Sequence, residues 1–105
     1  MKALLAAGLV FTLLPASAAF ALDGNAEAGA KKNEMCIGCH GIYDYKSSFP
    51  SVYRVPMIRG QSAKYLEAAL HEYKKGERSH PTMRAVAGSL TDQDIADLAA
   101  YYGSK

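Results

Sequence analysis

The sequence predicts an all-α fold in a single domain. Three segments repeat apolar residues with the 3.6-residue period of a helix, and the stretches between them lack the alternation of a strand. The chain has 105 residues, of which 50% are hydrophobic and 21% are charged, which is ordinary globular composition. A chain of this length forms one domain at most.

The first predicted helix runs from about Asn25 to Met35. Asn25 can cap the N-terminus, and Glu27 lies near the positive end of the helix dipole. Its apolar stripe is thin and Gly29 lowers its propensity, so we expect it to need tertiary support.

The second predicted helix begins at the capping residue Ser62 and ends before Gly76, which follows two lysines. His71 lies opposite its apolar arc, where we expect solvent exposure. The arc consists of Tyr65, Leu66, Ala69, Leu70 and Tyr73.

The third predicted helix has the clearest start. Thr91 with Asp94 three residues later resembles a capping box, and Leu90 can pack onto Ile95 across the cap. Its apolar stripe comprises Ile95, Leu98, Ala99 and Tyr102.

The two stretches between these helices are predicted to be ordered loops without strands. Gly41 to Gly60 contains Pro50 and Pro56, and Ser79 to Ser89 contains Pro81. Neither stretch sustains an alternating pattern.

Residues 1–21 have the pattern of a secretory signal peptide. Lys2 is the only charge before Asp23, and the apolar run over residues 3–14 is too short to span a membrane. Small residues then lead up to Ala21, after which we predict cleavage. Ala18 and Ala19 are alternative sites, and an uncleaved segment acting as an anchor is the alternative fate.

The mature chain is small and nearly neutral. Removing 21 of the 105 residues leaves 84, with 11 Lys and Arg against 10 Asp and Glu. No basic stripe for nucleic acid is visible. A domain of this size usually needs a disulfide, a metal or a cofactor to complete its core.

Cys36-Ile37-Gly38-Cys39-His40 contains the only two cysteines of the chain. C-x-x-C-H is the attachment signature of c-type haem. Two thiols at this spacing can each add to one vinyl group of a porphyrin, and the adjacent histidine then places its imidazole under the iron. We predict one covalent haem c attached through Cys36 and Cys39, with His40 on the iron.

Three other kinds of site compete with haem. A thioredoxin-like pair would be expected in a βαβ unit, which the sequence lacks. A zinc site would need a fourth ligand, which His80 can supply. A plain disulfide is the third possibility. Export, the adjacent histidine and the missing core volume favour haem.

The second axial ligand is predicted to be Met83. It follows Pro81 by two residues, in a loop where a rigid turn can aim its side chain across the haem. His80 is the main rival, because imidazole is also a common haem ligand. Met57 is assigned the role of a flexible gap filler, and His71 faces away from its helix's apolar arc.

These motifs together resemble those of class I c-type cytochromes, the small mono-haem proteins of bacterial periplasms, and also one half of the di-haem members of that superfamily. The resemblance covers Asn25 to Tyr102, nearly all of the mature chain. The resemblance rests on the segments Cys36 to Gly41, Pro56 to Gln61 with Tyr65 and Leu66, Pro81 to Met83, and Leu90 to Tyr102.

The resemblance implies a cytochrome c fold, with three main helices and ordered loops wrapped around one haem. It also implies that Pro56 offers its carbonyl to His40 and that Ile58 packs against the ring. Gly29 would let the first and last helices approach closely near Tyr101.

The stretch from Gly41 to Val55 departs from the family pattern. Its tyrosines, Tyr43, Tyr45 and Tyr53, either bond the haem propionates or pack at the solvent edge of the loop.

A periplasmic electron carrier, and not an enzyme, is the function that this resemblance implies. With His40 and Met83 saturating the iron, only its oxidation state changes, and the partners are donor and acceptor redox proteins. One alternative is a haem c subunit or domain partner of a larger dehydrogenase or oxidase. A second is a catalytic or ligand-binding protein with an open iron, for which we identify no distal acid–base pair.

Overall fold

The structure is a computed structural model that describes residues 22–48 and 51–103, together with Gly8 and Val10. This part of the chain is mostly helical, as predicted. Apart from Gly8 and Val10, the predicted signal peptide lies outside it. The elements are α1 (Ala26–Lys32), α2 (Glu34–His40), β1 (Lys46–Ser47), β2 (Tyr53–Arg54), α3 (Ala63–Lys75), α4 (Pro81–Gly88) and α5 (Asp92–Gly103).

Side-chain caps start α1 and α3 where the sequence indicated. The Asn25 side chain accepts a hydrogen bond from the Ala28 N–H at 3.0 Å, and Ser62 Oγ accepts one from the Tyr65 N–H at 3.0 Å. Gly76 ends α3 in the left-handed conformation, with φ of 80°. These local signals therefore fix the limits of α3 and the start of α1.

The predicted capping box of α5 is confirmed. Thr91 Oγ1 accepts from the Asp94 N–H at 3.0 Å, and Asp94 Oδ2 accepts from the Thr91 N–H at 2.9 Å. Leu90 and Ile95 are both buried in the same hydrophobic cluster, as expected for residues that pack across the cap.

The first predicted helix is two helices, so its predicted end at Met35 was wrong. The break lies at Asn33, whose φ of −81° and ψ of 3° interrupt the regular turn. The Asn33 carbonyl then accepts from the N–H groups of Cys36 and Ile37, both at 2.9 Å, which starts α2. The Cys-His motif thus lies on a short helix of its own.

The predicted loop from Ser79 to Ser89 contains α4. Pro81 is the first residue of this helix, where its fixed φ suits the turn and its missing N–H costs nothing. His80 caps the helix by accepting a hydrogen bond from the Met83 N–H at 3.3 Å. Interpreting Pro81 only as a loop residue was the error.

The predicted loop from Gly41 to Gly60 contains a small antiparallel hairpin. Lys46 pairs with Arg54 and Ser47 with Tyr53 in its register. Strands of two residues are too short to show an alternating pattern, which explains why the sequence did not indicate them.

The first and last helices cross at Gly29, as the family resemblance implied. A Cβ atom on Gly29 would lie 2.7 Å from Tyr101 Cβ and would overlap the Asp97 carbonyl oxygen. α5 occupies the centre of the packing, and its Ile95 and Leu98 side chains are 0% and 1% exposed.

A buried carboxylate holds both ends of α1 against α5. Asp97 is 2% exposed and accepts from the Asn25 N–H at 2.9 Å, Lys32 Nζ at 2.7 Å and Gln93 Nε2 at 2.8 Å. Lys32 also pairs with Asp94 at 2.9 Å. Hydrogen bonds from Lys32 lower the pKa of Asp97, and they lower that of Asp94 to about 2.

No helix in the described part of the chain is both long and apolar enough to cross a membrane.

Replacing Gly29 by Ala should destabilise the protein by about 1–3 kcal/mol, because the added methyl group forces the crossing helices apart. Chemical denaturation of the holoprotein measures this free energy. Gly88→Ala is the control, since a Cβ at Gly88 meets nothing within 4 Å. Equal stabilities for the two variants would contradict the close crossing.

Stability should fall with acidity through Asp94 and Asp97. Both folded-state pKa values lie below the ordinary 3.8, and that of Asp94 is about 2, so the stabilisation is present above 3.8 and is lost as the pH falls through the folded-state pKa values. Asp97→Asn should flatten this part of the pH profile of the unfolding free energy. Parallel profiles for wild type and variant would disprove the assignment.

Candidate haem-binding site

A cavity of about 390 Å³ lies between the hairpin and helices α2, α3, α4 and α5. Its wall is largely apolar and includes side chains from the core of the fold. It is lined by all six residues that the sequence assigned to the site: Cys36, Cys39, His40, Pro56, Ile58 and Met83.

The two cysteines lie one helical turn apart on α2. Both are partly buried free thiols, so a disulfide is not realised in this structure. Burial raises the pKa of the Cys36 thiol. Thioredoxin-type pairs show the reverse, a lowered thiol pKa, so the electrostatics do not favour a redox pair of that kind.

A thioredoxin-like pair and a zinc site also lack their structural requirements. Within residues 22–48 and 51–103 the strands form one antiparallel hairpin, without the βαβ unit of a thioredoxin-like site. The same residues contain no group of three or more His, Cys, Asp or Glu side chains placed to hold a metal ion. The zinc site of Cys36, Cys39, His40 and His80 is therefore not assembled.

The imidazole of His40 is oriented by a backbone carbonyl. Its Nδ1 atom lies 2.6 Å from the carbonyl oxygen of Pro56. A carbonyl oxygen can only accept, so Nδ1 carries the hydrogen and donates it. Nε2 is then the nitrogen with a free lone pair, which suits it to bind a metal.

The loop that carries Pro56 is itself fixed to the core. The Gly60 N–H donates to the Tyr102 carbonyl on α5 at 3.2 Å. Ile58 is partly buried and packs against the core cluster while lining the cavity. Met57 also lines the cavity but remains 43% exposed.

Met83 lies in the first turn of α4, is partly buried and lines the cavity. His80, its rival as a ligand, lines the cavity too, but its Nδ1 accepts from the Met83 N–H. The His80 ring also packs edge-on against Tyr53, with centroids 4.9 Å apart, and against Tyr73 at 6.2 Å.

His71 does not line the cavity. Its side chain is 29% exposed and Nδ1 lies 3.9 Å from Asp92 on α5. The predicted solvent exposure is thus only partial, because α5 covers part of this face of α3.

Two arginines at the cavity were not identified from the sequence. Arg54 Nε lies 3.1 Å from Asp44, and the Arg78 guanidinium lies 4.6 Å from the centre of the Tyr73 ring. They occur in the hairpin and beyond a helix end, where no motif marks them. Guanidinium groups suit carboxylates such as the haem propionates.

The three tyrosines proposed for the propionates are placed differently. Tyr53 lines the cavity, whereas Tyr45 does not and Tyr43 is 88% exposed. Only Tyr53 is therefore placed at the cavity for such a contact.

The donor set fits a covalently bound haem. Two thiols one turn apart provide attachment points, an oriented imidazole follows directly, and a thioether lies in the same largely apolar cavity. Cationic side chains at its wall suit the carboxylates that haem carries.

Comparison with known proteins gives the same result. The family model for cytochrome c matches residues 26–104. The chain is 42% identical over 85 residues to cytochrome c-554(548) of Halomonas halodenitrificans, covering 78% of this chain and 98% of that protein.

Two further relatives are longer than the matched segment. Cytochrome c4 of Pseudomonas aeruginosa is 39% identical over 82 residues, which cover 78% of this chain and 39% of that protein. The cytochrome subunit of sulfide dehydrogenase of Chlorobaculum tepidum is 36% identical over 69 residues, covering 66% of this chain and 58% of the relative. The chain thus spans about two fifths of the c4 relative.

The family match extends over all five helices and the cavity residues between them. The chain belongs to the cytochrome c family, as a bacterial class I c-type cytochrome that binds haem c covalently.

Proposed function

We propose that this cytochrome is a periplasmic electron carrier whose haem is attached through Cys36 and Cys39 and ligated by His40 and Met83. Electron transfer is the function of the family. The proposed attachment and ligation rest on one observation: two thiols, an oriented imidazole and a thioether line the same cavity. Bound haem c supplies a one-electron change in the oxidation state of its iron.

The hydrogen bond from His40 to the Pro56 carbonyl supports His40 as the first ligand. It fixes the tautomer and the plane of the ring, and it makes Nε2 a better donor. Because the Pro56 loop is tied to α5 through Gly60, the imidazole is held by the core and not by its own helix alone.

The contacts of His80 support Met83 as the second ligand. Nδ1 of His80 accepts from the Met83 N–H, so in the neutral imidazole Nε2 carries the hydrogen and has no lone pair for a metal. The ring is also held between Tyr53 and Tyr73. A thioether favours the reduced state relative to a second imidazole, and an apolar enclosure disfavours the added charge of the oxidised state. Both effects imply a fairly high reduction potential.

Two protein ligands leave no coordination position for a substrate, which supports a carrier and not an enzyme in its own right. A role as the haem subunit of a larger dehydrogenase or oxidase is the second candidate. One relative is the cytochrome subunit of sulfide dehydrogenase, which is the observation in its favour. The chemistry at Met83 and His40 is the same in either role.

The partners are redox proteins, one donor and one acceptor. A mature charge of +1, from 11 basic and 10 acidic residues, gives little long-range steering, so short-range fit at the surface decides binding. The sequence has no basic stripe of the kind that binds nucleic acid, so we propose no nucleic-acid partner.

Export underlies the proposed location. The charged start, the apolar run and the small residues up to Ala21 indicate a signal peptide, which leaves residues 22–105 as the haem domain. Cleavage would leave the mature protein without this apolar segment, and hence without a stable membrane anchor.

Intact-mass measurement on exported protein tests attachment and cleavage together. The mass should equal that of residues 22–105 plus one haem. In the double variant Cys36→Ala, Cys39→Ala, denaturing extraction should release any haem, because no thioether holds it. A wild-type mass without haem, in cells that contain haem-maturation machinery, would contradict covalent attachment.

Replacing Met83 by Ala should open the iron to carbon monoxide and lower the reduction potential, because the thioether is lost. Optical spectra in both oxidation states and a redox titration measure these changes. Met57→Ala is the matched control and should keep both properties. A native spectrum for Met83→Ala would show that another residue is the ligand.

A further inference from the structure

We propose that His80 is a positioning residue, which holds the first turn of α4 through its side chain and thereby places Met83 at the haem. This inference rests on the proposed ligation by Met83. It concerns how the ligand is held, and it assigns His80 a role other than metal binding.

The cap of α4 is made directly to the proposed ligand. His80 has extended backbone angles, φ −151° and ψ 104°, and precedes the first residue of the helix. Its Nδ1 accepts from the N–H of Met83 at 3.3 Å. The side chain of residue 80 therefore closes the turn that carries the Met83 side chain.

The other capped helices in the described chain use small polar side chains for the same contact. Asn25, Ser62 and Thr91 cap α1, α3 and α5. Histidine is not among the preferred capping residues, so its presence here calls for a second function of the ring. The imidazole ring is larger than the side chains of Asn, Ser and Thr, so it can also contact neighbouring elements.

That added size lets two more elements hold the ring. Tyr53 on β2 packs edge-on at 4.9 Å between centroids, with an interplanar angle of 85°, and Tyr73 on α3 does so at 6.2 Å and 80°. His80 thus connects the hairpin and α3 to the start of α4. This gives the Gly41 to Val55 stretch, which matches no family motif, a structural role.

No residue in the first turn of α4 is fully buried. The helix is eight residues long, and Ala87, near its other end, is its one buried residue. Without the cap, the turn from Pro81 to Met83 would fray more readily. The Met83 side chain would then be easier to displace from the iron.

Displacement of the ligand by imidazole measures this effect. We expect His80→Ala to tighten apparent imidazole binding to the oxidised protein by about 5-fold, the factor that corresponds to about 1 kcal/mol for a lost N-cap. His80→Asn should bind imidazole more weakly than His80→Ala and closer to wild type, because Asn is a preferred cap, and the part not recovered measures the ring contacts. Both variants lose the aromatic ring, so their difference isolates the cap.

Thr91→Ala is the matched control for stability. It removes the equivalent cap of α5, and Thr91 does not line the cavity. Imidazole affinity and reduction potential should therefore stay at wild-type values while the unfolding free energy falls. If His80→Ala does not fold, His80→Gln replaces it, since the longer side chain is a poor cap.

The outcomes separate this inference from the proposed function. Equal imidazole tightening in Thr91→Ala, or the same tightening in His80→Asn as in His80→Ala, would overturn the positioning role. Loss of six-coordination in both His80→Ala and His80→Asn, with a native spectrum in Met83→Ala, would identify His80 as the ligand and overturn the proposed ligation itself. Restoration by Asn, which does not replace an imidazole on iron, supports the positioning role.

Discussion

The hydrogen bond between His40 Nδ1 and the Pro56 carbonyl is the contact on which the arrangement of the site depends. It joins the end of the cysteine helix to the loop on the far side of the hairpin, at 2.6 Å. That loop is bonded through Gly60 to the Tyr102 carbonyl of α5. The imidazole is therefore oriented by contacts that lead through the Pro56 loop to the buried helix α5. The two thiols lie on the same helix as His40, so these contacts also help to place them.

The frame that carries this chain of contacts is the crossing of α1 and α5. Gly29 removes the side chain that would keep the two backbones apart, and Asp97 then accepts hydrogen bonds from residues at both ends of α1. A buried carboxylate is favourable only when its oxygens are paired, and here the Lys32 ammonium compensates its charge. The residues that make this frame do not line the haem cavity, so the contact between α1 and α5 does not involve the cofactor site.

Local signals in the sequence predicted much of this structure, and the failures have physical causes. The caps at Ser62 and Thr91 are contacts within one turn, so the residue types alone indicate them. The cysteine motif is likewise local. The break at Asn33 was missed because Asn also occurs inside helices. The start of α4 was missed because His is a rare cap. The arginines at the cavity were missed because tertiary packing, and not spacing along the chain, brings them there.

The two proposed axial ligands are held in different ways, and this difference bears on how the site works. His40 is fixed by a backbone acceptor that the core supports. Met83 lies on a short helix whose start depends on the cap and ring contacts of His80. Local stability follows the number and burial of such contacts, so we expect the α4 side of the site to open more easily than the His40 side. A carrier needs both ligands to stay in place through the redox cycle, because movement of either one adds to the reorganisation that each electron transfer requires. The ring contacts of His80 with Tyr53 and Tyr73 help to hold the α4 side of the site, as the Pro56 carbonyl holds His40 on the opposite side.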